Sequence, residues 1–274
     1  MLAAPRALAP LAKLTGAVDE VADTGPLDPV AARLHGADVA VNLHGRGPQS
    51  HAILAAARPH RLVAFATDAV DGPRWRTDEH EVVRWCRLLD ESGIRADPSP
   101  ERLLITVPQD PSADGATVIH PGAASPARRW PPERWVAVAR AERSRGRPVL
   151  ITGSPQERGL AAGIASAAGL DPSSVRAGRT DLLGIAGLLA GAARVACGDT
   201  GVSHLATAVG TPSVTLFGPV SPSHWGPPPL TRHVALWAGR VGDPHGQTPD
   251  PGLLALDVER VDAALAGLTG RAPR

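Results

Sequence analysis

Residues 195–218 read VACGDTGVSHLATAVGTPSVTLFG, and this stretch decides the fold. The apolar run 194–197 predicts a buried strand, and 202–209 predicts a short helix of alanine and other small residues. A Gly-Thr-Pro turn ends that helix, and 213–217 predicts a second buried strand. The order strand, tight loop, helix, strand is that of a βαβ unit, in which the two strands lie parallel in one sheet.

The loop of this unit, Gly198-Asp199-Thr200-Gly201, leads directly into a helix N-terminus. Free amide groups and the positive end of the helix dipole favour an anionic ligand there, such as a diphosphate. Glycine lets the backbone approach that ligand closely. Asp and Thr also favour the N-cap position itself, so the residues alone leave a purely structural role for Asp199 or Thr200 open.

The rest of the second half also alternates strands with helices. Further strands are predicted over 116–119, 148–152, 175–178 and 233–238, and further helices over 131–143, 181–190 and 257–268. This alternation predicts a doubly wound Rossmann-like domain.

Three charged side chains of this half stand near predicted helix N-termini. Arg128 and Arg129 follow a strand and precede the 131–143 helix. A guanidinium group at such a place binds phosphate oxygens, although exposed arginines are also ordinary surface residues. Glu157 begins the next helix, where a carboxylate either interacts with the helix dipole or bonds a ribose hydroxyl.

The first half is predicted to alternate in the same way, which again indicates a parallel sheet. Strands are predicted over 18–22, 38–43, 61–66 and 103–107, and helices over 2–15, 49–57 and 80–92. His44 and Arg46 lie in a glycine-rich loop after the 38–43 strand, where open α/β sheets bind ligands, or where a loop is simply solvated. The polar stretch 108–115, PQDPSADG, predicts a linker between domains 1–110 and 116–274.

Length and composition limit the classes of protein that remain. A chain of 274 residues is long enough for two domains. Its 28 Lys and Arg against 27 Asp and Glu give no indication of nucleic-acid binding. Cys86 and Cys197 lack a CxxC spacing, so neither a zinc site nor a disulfide is predicted. No apolar run reaches ~18 residues and no signal peptide is evident, which predicts a cytoplasmic protein without a transmembrane segment.

Three motifs stand in one order: HPGAASPARRWPPERW at 120–135, GSPQE at 153–157, and GDTGVSHLATAVGTPSVTLFGP at 198–219. Together they resemble glycosyltransferase family 9, the ADP-heptose:lipopolysaccharide heptosyltransferase family. VNLHGRG at 41–47 resembles part of the family's N-terminal domain. The resemblance implies a GT-B fold, with two Rossmann-like domains and the donor held mainly by the second. It also implies an inverting, metal-independent transfer of a heptose-like sugar, without a cofactor, from a nucleotide-diphosphate donor to a glycan or small-molecule acceptor.

The resemblance also implies roles for individual residues. Asp199, Thr200 and Gly201 match the loop that contacts the donor sugar and diphosphate, and His204 faces the same cleft from the first turn of the helix. Arg128 stands where the family has a basic residue, usually lysine, on the phosphates. A further match places Glu157 near the nucleoside. On the acceptor side the candidates are His44 and Arg46.

One departure from the family pattern affects the expected chemistry. Family members begin with a strand and a glycine-containing loop that holds an aspartate, the proposed general base. Residues 2–21 resemble the part of the family pattern that comes after this segment, so we expect the N-terminal domain to lack its first βα unit. No catalytic residue is therefore predicted, since the expected base lies in the missing segment. Two alternatives stay open: a non-catalytic remnant that binds a nucleotide sugar, and a GT-B sugar-nucleotide epimerase. The resemblance also allows peripheral contact with a membrane.

Overall fold

The structure is a computed structural model that describes residues 1–100 and 104–268, and the chain divides into two compact units, Met1–Arg102 and Leu103–Arg274. The α/β class predicted from the sequence is confirmed, because parallel strands alternate with helices in both units. No helix within the described residues combines the length and the apolar composition needed to cross a membrane.

The first unit contains two pairs of parallel strands, each with a helix between its members. Its elements are β1 (Leu2–Ala4), α1 (Ala9–Leu14), β2 (Val21–Asp23), β3 (Val39–Val41), α2 (Gln49–Ala56), β4 (Arg61–Val63) and α3 (Glu81–Glu91). β1 pairs with β2, and β3 pairs with β4. The core beside β4 holds Phe65 and Leu88, and Phe65 meets Trp75 edge to face at 5.0 Å. Such contacts stabilise a small unit whose strands are short.

The prediction of a helix over residues 2–15 is wrong at its beginning. Leu2–Ala4 form a strand, and a short 3-10 helix, Arg6–Leu8, separates it from α1. Proline disfavours helical backbone at the residue before it, so Pro5 favours extended backbone at Ala4. The strand gains main-chain hydrogen bonds across to β2, such as that from the Leu2 N–H to the Glu20 carbonyl at 2.8 Å.

The second unit is built on a parallel sheet. Its strands are β5 (Thr117–His120), β6 (Val149–Ile151), β7 (Arg194–Gly198), β8 (Ser213–Leu216) and β9 (His233–Leu236). Its helices are α4 (Pro132–Ser144), α5 (Arg158–Ala167), α6 (Leu182–Gly191), α7 (Gly201–Val209), α8 (Pro222–Trp225), α9 (Pro251–Leu254) and α10 (Val258–Gly267). Among residues 104–268 the sheet has five strands in the order β6-β5-β7-β8-β9, all parallel. All four residues of β8 are buried, as expected for a parallel sheet covered on both faces.

The order of the strands sets where a ligand can bind. From β5 the chain crosses to β6 on one side, whereas β7 and β8 lie on the other side of β5. Right-handed crossovers in opposite directions place α4 and α7 on opposite faces of the sheet. α4 packs with α5 and α10, while α7 packs with α6. The loops after β5 and β7 therefore diverge at a topological switch point, where open α/β sheets hold their ligands.

Three predicted elements differ from the structure. The strand expected over 175–178 is reduced to one bridge between Val175 and Ile151, because residues 177–179 turn away. Of the strand expected over 103–107, residue 103 lies outside the described residues, and 104–107 form no strand. Residues 108–115, predicted as a linker, pack in the second unit, where the Asp110 N–H donates to the Gly187 carbonyl at 2.9 Å.

Candidate functional site

The candidate site lies at the carboxyl ends of β5, β6 and β7. β7 ends at Gly198, and α7 begins three residues later at Gly201. A Cβ atom on Gly198 would lie 3.2 Å from the Arg128 carbonyl oxygen, so the loop after β5 packs against the end of β7. Because β5 and β7 are neighbours in the sheet, Arg128 and Asp199 are brought together although 71 positions separate them in the chain.

Asp199 is the buried charge of the site, and only 5% of its surface is exposed. Its Oδ1 accepts a hydrogen bond of 2.9 Å from the Trp225 indole N–H, and its Oδ2 lies 3.5 Å from Arg128 Nη1. A buried carboxylate is stable only with such partners. Asp199 is therefore not the N-cap of α7, since that position belongs to Thr200.

Arg128 lies at the end of a short 3-10 helix, Pro126–Arg128, and its side chain is 27% exposed. Its Nε is buried and has no hydrogen-bond partner. A guanidinium group has five N–H donors, so a single contact of 3.5 Å to Asp199 leaves most of its capacity unused. By contrast, the Arg129 Nε donates to the Ala123 carbonyl at 2.8 Å and so holds the loop itself.

The N-terminus of α7 provides further donors beside Arg128. Thr200 is the N-cap, yet its side chain makes no capping hydrogen bond, and its Oγ1 is buried without a partner. The first amide groups of a helix, here those of Gly201 and Val202, have no acceptor within the helix. Gly201 is exposed, and a Cβ atom built on it meets nothing within 4 Å. His204 is exposed on the same helix.

Glu157 stands at the loop after β6, next to the loop after β5. Its Oε2 accepts a hydrogen bond of 2.8 Å from the Ser154 N–H in a capping box. A Cβ atom on Gly122 would lie 1.9 Å from Glu157 Oε1, so the glycine makes room for this carboxylate.

Sequence reasoning missed two residues of this site, His120 and Trp225. The His120 Nδ1 lies 3.0 Å from Thr152 Oγ1, and burial lowers the pKa of His120, although the charge of Glu157 acts in the opposite direction. The HPG motif at the end of β5 was the available signal for His120. The available signal for Trp225 was its place in a proline-rich segment soon after β8.

His44 and Arg46 lie in the first unit, exposed in the loop between β3 and α2. Two hydrogen bonds of Asn42 hold this loop. Its side-chain amide donates to the Ser50 hydroxyl at 2.9 Å, and its Oδ1 accepts from the His44 N–H at 2.9 Å. The imidazole of His51 is 2% exposed and lies beneath Gly47, whose φ of 76° suits glycine. Burial lowers the pKa of His51, and sequence reasoning missed this residue.

The arrangement in the second unit is suited to an anion. Arg128, the Thr200 hydroxyl and the amide groups at the start of α7 are donors, and the helix dipole adds positive potential. Within the described part of the chain, no group of three or more His, Cys, Asp or Glu side chains is arranged to hold a metal ion.

Comparison with known proteins shows which sequences and structures this chain resembles. The chain matches the sequence profile of Glycosyltransferase family 9 (heptosyltransferase) over residues 49–244. It is 37% identical to Lipopolysaccharide heptosyltransferase 1 of Pseudomonas aeruginosa over 118 residues, which are 43% of this chain and 32% of that protein. It is 33% identical to Lipooligosaccharide heptosyltransferase 2 of Haemophilus influenzae over 123 residues, which are 42% of this chain and 34% of that protein. The matched stretch thus spans a third of the length of these relatives.

Solved structures support the fold over nearly the whole chain. The structure of E. coli ADP-heptose LPS heptosyltransferase II matches with a TM-score of 0.73 at 19% identity, over 96% of this chain and 87% of that one. E. coli heptosyltransferase WaaC with ADP matches with a TM-score of 0.71 at 19% identity, over 97% and 88%. At this identity the likeness concerns the fold alone, and it confirms the GT-B class with Rossmann-like units.

Proposed function

The chain belongs to glycosyltransferase family 9, and from that premise we propose that it transfers a sugar from a nucleoside diphosphate donor to an acceptor hydroxyl. The second unit binds the donor. The proposed donor-binding residues are those predicted from the sequence: Arg128, Glu157, Asp199, Thr200, Gly201 and His204. The acceptor is a glycan or a small molecule, and His44 and Arg46 are its candidate contacts in the first unit.

One observation carries this proposal: Arg128 has a buried, unpartnered Nε beside a helix N-terminus whose N-cap hydroxyl is also unpartnered. A buried donor without a partner costs free energy, and phosphate oxygens bound at this place would satisfy both groups. Arginine binds phosphate through two parallel hydrogen bonds, and the first amides of a helix bind a second phosphate oxygen. A diphosphate offers enough oxygen atoms for both.

The nucleoside end of the donor is proposed to lie toward β6, where Glu157 is held by the Ser154 N–H. A fixed carboxylate accepts hydrogen bonds from ribose hydroxyls, as in other Rossmann-like domains. ADP is our first choice of nucleotide, because the matched E. coli WaaC structure is described as a complex with ADP. A heptose-like sugar is proposed on the same ground, since a second structure of that protein is described as a complex with ADP-2-deoxy-2-fluoro heptose.

Transfer is proposed to invert the anomeric carbon. The acceptor hydroxyl attacks from the face opposite the diphosphate, a new C–O bond forms, and the hydroxyl proton passes to water. The bond to the diphosphate breaks with both electrons leaving on oxygen. Negative charge then develops at the leaving group, next to Arg128 and the α7 N-terminus. Donors that are fixed before the reaction stabilise that charge most effectively. On this proposal the protein's own positive groups serve the leaving diphosphate, and the transfer is metal-independent.

Calorimetric titration of the protein with ADP, GDP, UDP and dTDP tests the proposal. We expect one nucleotide to bind, and Arg128→Ala to weaken it by roughly 10- to 100-fold, the loss of a charge-assisted hydrogen bond. Asp199→Ala should weaken the binding of the sugar nucleotide. Arg140→Ala, which removes a guanidinium from the outer face of α4, is the matched control and should bind as the wild type does.

The outcomes separate the candidate functions. If none of the four nucleotides binds, or if Arg128→Ala binds as well as Arg140→Ala, the donor site is wrong. Binding without turnover of a sugar nucleotide supports the non-catalytic alternative. An epimerised free donor in a product assay supports the epimerase.

A further inference from the structure

The contact between Trp225 and Asp199 is not part of any role assigned so far. The Trp225 indole N–H reaches Asp199 Oδ1 at 2.9 Å, while Arg128 Nη1 lies 3.5 Å from the other oxygen. The two partners come from different elements, since Trp225 lies on α8 after β8 and Arg128 lies in the loop after β5. The carboxylate is thus held by one neutral donor at short range and one cation at longer range.

The short helix α8 is built to hold this indole in place. Its first turn is capped by the Ser221 side chain, and Pro222 occupies the first helical position. Gly226 closes the turn tightly, because a Cβ atom there would lie 2.5 Å from the Pro222 carbonyl oxygen. None of the four residues of α8 is buried, so packing into the core does not explain the position of the helix.

Arg128 is only a weak partner of Asp199. Its contact with Asp199 is long, and its remaining donors are free for an incoming anion. When the guanidinium group turns toward a diphosphate, Asp199 loses charge compensation at the moment when a second anion arrives. A buried carboxylate with no remaining donor would then repel the ligand. The indole N–H of Trp225 is the donor that remains hydrogen-bonded to Asp199 when the diphosphate is bound.

We propose that Trp225 is a positioning residue for the donor sugar, which acts through Asp199. It holds the carboxylate through Oδ1 while Arg128 binds the diphosphate, so that Oδ2 is released to accept hydrogen bonds from sugar hydroxyls. This inference rests on the proposed function, because it requires a sugar nucleotide in the second unit. It predicts that the indole N–H matters for the sugar and much less for the nucleotide alone.

The first experiment tests the contact without any ligand. Proton–nitrogen NMR spectra of the full chain show the indole N–H groups of its six tryptophans, and Trp225→Phe identifies one of them by its disappearance. We expect Asp199→Asn to shift that resonance. The indole resonance of Trp237, whose N–H donates to the carbonyls of Gly218 and Arg240, should stay in place. If the Trp225 resonance does not move, the contact is wrong.

The second experiment compares ADP with ADP-heptose in calorimetric titrations of Trp225→Phe, which keeps an aromatic ring and removes the N–H. GDP-mannose, UDP-glucose or dTDP-glucose replaces ADP-heptose if the titration above selects another base. We expect the sugar nucleotide to bind about 10-fold more weakly, the loss of one hydrogen bond to a charged group, and the nucleotide alone to change less than 2-fold. Trp237→Phe is the matched control and should change neither.

A double variant separates positioning from a general loss of structure. If Trp225 acts through Asp199, adding Trp225→Phe to Asp199→Asn costs little further affinity for the sugar nucleotide. Two outcomes would overturn the inference. In the first, Trp225→Phe loses equal affinity for the nucleotide and the sugar nucleotide. In the second, Trp225→Phe weakens sugar-nucleotide binding as much in the Asp199→Asn background as in the wild type. If the wild type binds neither ligand, the proposed function fails and the inference with it. Normal wild-type binding with an unchanged Trp225→Phe variant overturns the inference alone.

Discussion

Gly201 offers a test in which folding and ligand binding are expected to change in opposite directions. A Cβ atom on this residue meets nothing within 4 Å, and the residue begins α7 with a right-handed backbone. The methyl group of Gly201→Ala therefore meets no steric clash in the ligand-free protein. The substitution also lowers the conformational entropy of the unfolded chain, so we expect a stability gain of about 0.4–1 kcal/mol. For a unit of this size that gain raises Tm by about 1–4 °C.

The same methyl group is expected to interfere with a diphosphate. A phosphate oxygen bonded to the first amides of α7 must approach the backbone closely, and glycine is what leaves that space. Forcing one extra methyl group into a filled site costs about 1–3 kcal/mol, which is roughly 5- to 150-fold in Kd. Thermal unfolding and calorimetric titration with the selected nucleotide measure the two effects on one preparation.

Gly163→Ala is the matched control for this prediction. Gly163 lies within α5, is exposed, and also has nothing within 4 Å of a built Cβ atom. We expect the same stability gain and an unchanged Kd. Wild-type affinity in Gly201→Ala would refute the close approach of the ligand to this backbone. A lower Tm in Gly201→Ala would refute the free space that the structure shows around it.

Two further predictions concern Glu157 and His233. Gly122→Ala places a methyl group 1.9 Å from Glu157 Oε1, so we expect it to displace the carboxylate from the Ser154 N–H, with a stability loss of about 1 kcal/mol and weaker nucleotide binding. Adding Glu157→Ala should cost little further stability and should not restore affinity. Burial lowers the pKa of His233 from 6.5 to about 4, so the unfolded chain takes up this proton first as the pH falls. The free energy of unfolding, measured by denaturant titration, should drop by up to about 3 kcal/mol between about pH 6.5 and 4. His233→Gln should reduce this dependence on pH. An unchanged pH dependence in the variant would contradict the lowered pKa of His233.

The sequence predicted best those features that depend on neighbouring residues. The unit around residues 195–218 was predictable because a buried strand, a glycine-containing turn and an alanine-rich helix each have a local pattern. The position of Arg128 beside Asp199 was expected only through the family resemblance and the rule that the carboxyl ends of parallel strands meet. The roles of these residues stay predictions.

The features that sequence missed depend on distant partners. β1 has three residues and is stabilised by pairing with β2, which no local pattern reveals. Val175 fails to extend a strand because the chain turns away directly after its bridge to Ile151. Trp225 reaches Asp199 across 26 positions, through a helix whose place is set by the end of β8. Such contacts follow from sheet order, which periodicity cannot supply.

A buried carboxylate in a site proposed for a diphosphate requires an explanation, because like charges repel. A site built only to hold phosphate would gain affinity by losing Asp199. The proposed function explains the carboxylate by the sugar: a hexose or heptose offers several hydroxyl donors, and an ionised carboxylate is acceptor-only. The repulsion then serves selectivity, since an anion without a sugar meets the unfavourable charge and gains no hydrogen bond from it. We therefore expect Asp199→Asn to reduce the preference for a sugar nucleotide over the free nucleotide, and competition titrations measure that preference directly. An unchanged preference would mean that Asp199 serves the fold of the loop and not the sugar.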